Sequence, residues 1–117
     1  MSVAWGLVAS LWLAPSPAAA SAVTYKIAHT RHQNANMVLI VTGNGFFTAA
    51  PEKSRLWYTS MKQCVKGLNL AGEVIVVAND PNRRFRWWGP TSWNNFLRTI
   101  DMEWVNARVN KQITCNF

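Results

Sequence analysis

Arg83-Arg84-Phe85-Arg86-Trp87-Trp88 is the stretch of this sequence richest in chemical capacity. Successive side chains of a β-strand point to opposite faces, so Arg84, Arg86 and Trp88 share one face and Phe85 and Trp87 the other. Guanidinium groups beside an indole offer charge to an anion and a flat surface to a ring. That combination suits acidic protein surfaces, anionic glycans and single-stranded nucleic acid. Phe85 and Trp87 read as core.

A second basic set lies upstream. Within residues 53–70, Leu56, Trp57, Met61, Cys64, Val65 and Leu68 cover about half of a helical wheel, and Arg55, Lys62 and Lys66 fall opposite. The spacing predicts an amphipathic helix with a basic outer stripe, weakened at Gly67 and ended by Gly72. The candidate binding residues are therefore Arg55, Lys62 and Lys66 on a helix and Arg84, Arg86 and Trp88 on a strand.

Other chemistry finds less support. His29 and His32 form H-x-x-H, which on a strand sends the two rings to opposite faces, and no Asp, Glu or Cys lies beside them. A zinc site wants three or four ligands, so neither metal nor cofactor is expected. Only five carboxylates occur, and none reads as a paired acid and base set against a nucleophile. An enzymatic reading narrows to a small hydrolase of anionic polymers using His29 or His32 with Glu52, Glu73 or Glu103. Gly43-Asn44-Gly45 lacks the lysine of a phosphate-cradling loop and reads as turn chemistry.

Two cysteines are present, with no C-x-x-C. Cys64 falls on the apolar side of the predicted helix, and Cys115 shares a strand face with Ile113 and Phe117, so a Cys64–Cys115 disulfide is expected, with free thiols or pairing to another chain as the alternatives.

The first 22 residues carry no charged side chain, so all 12 Lys and Arg, all 5 Asp and Glu, and the net charge of +7 belong to residues 23–117. Residues 3–14 are apolar, Pro15-Ser16-Pro17 comes next, and Ala18-Ala19-Ala20 or Ala20-Ser21-Ala22 offers a small-residue cleavage site. Residues 1–22 thus read as a cleavable export signal, although no Lys or Arg precedes the apolar run. A retained anchor is the alternative. Twelve residues of helix reach only about 18 Å against a hydrocarbon core of about 30 Å, which disfavours it.

Residues 23–117 read as one domain. Half of the 117-residue chain is hydrophobic and 15% is charged, a composition that folds. Residues 37–42 and 73–79 are β-branched runs and predict buried strands; residues 23–30 alternate and predict an extra N-terminal strand at an edge. Asp80-Pro81-Asn82 predicts a turn into a strand over 83–88. Trp93, Phe96, Leu97, Ile100 and Trp104 predict one stripe of a second helix, and residues 111–117 a last strand. The resulting order is βαββαβ, the ferredoxin-like or split βαβ arrangement, an α+β fold with a single sheet and two helices on one face.

These features point to a basic exported protein, periplasmic or secreted, and membrane-associated if residues 1–22 are retained. Its expected role is that of a non-enzymatic accessory domain docking on a larger envelope or extracellular assembly with an acidic surface. An anionic lipid or glycan is the alternative partner. Export and the lack of an RNA-reading signature argue against nucleic acid.

Overall fold

The computed structural model describes residues 22–116. The expected export signal, apart from Ala22, lies outside these residues, as does Phe117.

Five strands form one mixed sheet: β1 (Ala22–His32), β2 (Ala35–Val41), β3 (Glu73–Asn79), β4 (Phe85–Trp88) and β5 (Lys111–Asn116), in the spatial order β4-β3-β2-β1-β5. Helices α1 (Gly45–Thr48) and α2 (Pro51–Gly67) join β2 to β3. A 3-10 turn (Thr91–Trp93), α3 (Asn94–Leu97) and α4 (Met102–Asn106) join β4 to β5. The α+β class and the single sheet agree with the sequence; the topology does not.

Hairpins fix the strand order. Gln33 and Asn34 make a two-residue turn with φ of 50° and 66°, which lays β1 antiparallel against β2, with Thr30 opposite Met37. Positive φ at both central residues is the requirement of a type I′ turn. With β1 on one side of β2, the crossover through α2 sets β3 on the other, parallel and directly paired, Val38 opposite Val74. A split βαβ would place another strand between those two. The ferredoxin-like order is therefore replaced by an unsplit βαβ unit flanked by two hairpin partners. β1 is not an edge strand, because β5 pairs along its outer side with Val23 opposite Cys115.

Helices cover both faces of the sheet rather than one. The β-branched runs of β2 and β3 are apolar through their centres, as strands buried on both sides must be. Val38, Ile40, Val74 and Val76 pack on one face with Phe46, Met61 and Val65 of α1 and α2. Met37, Leu39, Ile75 and Val77 pack on the other with Leu97 of α3 and Val105 of α4. Each such side chain contributes about 1.5–3 kcal/mol on burial.

The predicted second helix is broken. Thr99 Oγ1 donates to Phe96 O (2.6 Å), and Asp101 Oδ1 accepts from Trp104 N (2.8 Å) to cap a new helix. Such side chains compete with the helical ladder. The apolar stripe survives the break, since Trp93, Phe96, Leu97, Ile100 and Trp104 all pack in the second cluster.

Cys64 and Cys115 are joined as a disulfide, Cα–Cα 5.9 Å, fastening α2 to β5. A disulfide suggests an oxidising, exported compartment. No helix among the described residues is long and apolar enough to cross a membrane.

Candidate functional site

The hairpin between β3 and β4 positions the arginines. Asp80 N donates to Arg84 O (2.9 Å) and Arg83 N to Asp80 O (2.8 Å), with Arg83 in the left-handed region at φ 65°. Arg83 and Arg84 therefore belong to the turn, and the strand begins only at Phe85. Arg84 and Arg86 line one shallow surface pocket with Asp80 and Phe85, but Arg84 carries an ion pair. Its Nε pairs with Asp80 Oδ2 at 3.1 Å, and Asp80 Oδ1 accepts the amides of Asn82 and Arg84, both at 2.8 Å. The Arg84 amide, assisted by that of Asn82 and by the guanidinium charge, holds the Asp80 carboxyl below its usual range.

Arg86 is exposed, with its guanidinium carbon 5.4 Å from the centre of the Phe47 ring. Trp88 is half-buried against the first cluster rather than presented to solvent, meeting Phe46 edge-on at 5.3 Å and Tyr58 at 6.5 Å. Phe85 and Trp87 pack on the second face, as strand alternation requires, and Trp87 Nε1 donates to Asn94 Oδ1 (2.9 Å).

On α2, Arg55, Lys62 and Lys66 are all exposed. Lys62 Nζ lies 5.3 Å over the Tyr58 ring, and Lys53 Nζ lies 5.1 Å over Trp57. Phe46, 2% exposed, is the hub beneath them, touching Phe47 (5.1 Å), Trp57 (6.2 Å) and Trp88 (5.3 Å). The result is a continuous aromatic strip, Trp57–Phe46–Trp88–Tyr58 with Phe47 at its side, carrying Lys53, Arg86 and Lys62 on three of its rings. Tyr58 Oη donates to Val74 O (2.7 Å), and burial first, then the Glu73 charge, pushes its pKa up. The ring beneath Lys62 is thus neutral. Arg84–Asp80 is the one ion pair formed among the described residues, so the cations over the strip have no carboxylate neutralising them at contact distance.

Sequence reasoning finds Arg86, Lys62 and Trp88 but misses Phe46, Phe47 and Tyr58, which hold them on one face. Phe46-Phe47 directly after Gly43-Asn44-Gly45 is the available signal. Leu56, expected on the apolar side of α2, is 69% exposed, and Ser54 takes the buried place, its Oγ donating to Phe46 O (2.7 Å).

His29 and His32 do point to opposite faces. His29 Nε2 lies 2.8 Å from Ala71 O and donates to it, whereas His32 stacks on Phe96, centroids 3.9 Å apart. Of the carboxylates weighed with them, Glu73 lines the same groove as His32. Among the described residues, no three His, Cys, Asp or Glu converge on a metal-sized site. No protein-family model, curated protein or solved structure matches the chain.

Proposed function

We propose that this protein is a small, basic, exported interaction module, non-enzymatic, that docks on the acidic surface of a larger envelope or extracellular assembly through the flank built by α2 and β4. The cation-bearing aromatic strip carries this reading. Lys53, Lys62 and Arg86 are held over rings with no carboxylate paired to them at contact distance, so an incoming carboxylate meets oriented positive charge above an apolar floor. Arg55 and Lys66 extend the charge along the helix and steer approach. Residues 1–22 act as the export signal that brings the domain to the oxidising compartment its disulfide suits.

Leu56 favours a second reading. An apolar side chain 69% exposed, next to Arg55 and one turn from Lys53, suits an anionic lipid surface, with the leucine inserted and the cations at the headgroups.

The test is in-cell cross-linking of the native protein, compared with Lys62→Glu/Arg86→Glu. Adducts with a protein partner, lost on charge reversal, are expected. Recovery of monomer alone from both envelope and secreted fractions overturns the docking reading, and salt-sensitive co-sedimentation with phosphatidylglycerol vesicles would replace it with the lipid one. Intact mass of the recovered protein, expected to lack residues 1–22, tests export.

A further inference from the structure

The other face of the sheet holds a groove whose chemistry is unlike that of the basic flank. It is an open groove of about 780 Å3 where the β1–β2 hairpin turns and β3 begins, a volume in the range of small-ligand sites. Three rings wall it. His32 stacks on Phe96 at 3.9 Å and an interplanar angle of 25°, and Trp93 stands across both, 6.0 Å from Phe96 at 70° and 6.3 Å from His32 at 56°. Trp104 backs Phe96 at 5.6 Å.

The remaining lining is polar and two-natured. Gln33 and Asn95 bring amides, Ser92 and Thr99 hydroxyls, and Glu73 a carboxylate. Amides and hydroxyls both donate and accept. Arg98 Nη1 donates to Asn95 Oδ1 (3.2 Å), which orients that amide, and Thr99 Oγ1 gives its proton to Phe96 O (2.6 Å), so its lone pairs are what it presents. Among the described residues no Lys or Arg lines the groove, although the chain carries +7.

Gln33, at φ 50° the first central residue of the type I′ turn, brings its amide to the groove from a position where glycine is the low-cost residue. Glycine would make the hairpin turn equally well and would bring no amide to the groove.

We propose that this groove binds an uncharged saccharide. A pyranose has apolar C–H faces that rest on rings and a rim of hydroxyls that donate and accept at once, which matches three rings edged by amides and hydroxyls. Glu73 accepts from ligand hydroxyls and repels anions, while the Arg98 guanidinium, outside the lining itself, stands on Asn95. The groove lies across the sheet from the acidic-partner flank, and Glu73, at the start of β3, borders both.

The test is calorimetric titration of the purified, disulfide-bonded protein with cellotetraose, maltotetraose and the tetramer of N-acetylglucosamine, with a heparin tetrasaccharide as the anionic comparison. At least one uncharged tetrasaccharide is expected to bind with an affinity unchanged between about 0.05 M and about 0.5 M salt, since no ion pair is involved. Trp93→Ala and Asn95→Ala should each weaken it about tenfold or more. Gln33→Gly is the decisive variant: it should weaken binding while raising Tm, a pairing that a purely structural role would not produce. Absence of binding by all three uncharged sugars overturns the proposal, as does equal binding by Gln33→Gly and Asn95→Ala. Binding of the heparin fragment alone, abolished by salt, also overturns it and credits the basic flank instead.

Discussion

At the scale of single residues, side chains that look alike in sequence have unlike fates because neighbours decide them. Arg84 and Arg86 are two positions apart, yet Arg84 closes a turn on Asp80 while Arg86 lies over Phe47. The Asp80 arrangement is testable by pH. Hydrogen bonds from the amides of Arg84 and Asn82 depress its folded pKa. Its contribution to stability is therefore complete above the unfolded value of about 3.9 and is lost as pH falls through the lower folded value. Asp80→Asn keeps an acceptor for the amides but not the charge. In urea unfolding at a series of pH values, wild type should be the more stable at neutral pH, and the gap should close on acidification below pH ~4. A gap constant with pH would assign the stabilisation to turn geometry alone. The residue types of the candidate site are legible in the sequence. Their partners are not, since Phe47 and Tyr58 reach Arg86 and Lys62 only through the packing of α1 and α2 on the sheet.

At the scale of elements, periodicity reveals the strands and the long helix, and it fails where side chains interrupt the backbone or where a close approach sets the connection. Apolar spacing from Trp93 to Trp104 is helical, but Thr99 and Asp101 break the ladder, and nothing in the spacing records that. The β1–β2 turn is hidden because Gln33-Asn34 lacks the glycine that marks such hairpins. Without that mark, the sequence puts β1 at an edge and implies the wrong strand order. Gly72, by contrast, matters for more than ending α2. It has φ 129°, and a Cβ there would lie 2.7 Å from the Asn36 carbonyl carbon and oxygen, where β3 enters beside β2. Gly72→Ala should cost about 2 kcal/mol or more, from overpacking against backbone and from the positive φ. Gly43→Ala is the control, since nothing lies within 4 Å of its added Cβ. It should be neutral or stabilising by about 0.4–1 kcal/mol. Equal costs for the two, measured by chemical denaturation, would remove the close approach as the reason for glycine at 72.

At the scale of the whole molecule, the sheet divides the core into two clusters, and the disulfide belongs to one of them. Cys115 packs with Ile113, Met61 and Val65, whereas Leu97 and Val105 lie across the sheet. The single bond between α2 and β5 spans β3, β4 and the connections between them, with a sequence separation of 51. Its removal restores loop freedom to the unfolded chain, worth about 4 kcal/mol in the chain-entropy picture. Net stabilities of small domains are about 5–15 kcal/mol, so that loss approaches the threshold of folding. Cys64→Ala/Cys115→Ala should therefore lose about 4 kcal/mol in urea unfolding relative to the oxidised wild type. Native-state hydrogen exchange should locate the effect. Amides of β5 and the second half of α2 should lose protection first, while those of β2 and β3, buried on both faces, should still open only with global unfolding. Uniform loss of protection across all five strands would mean that the two layers unfold as one unit, and that the disulfide stabilises the whole sheet rather than the α2–β5 edge.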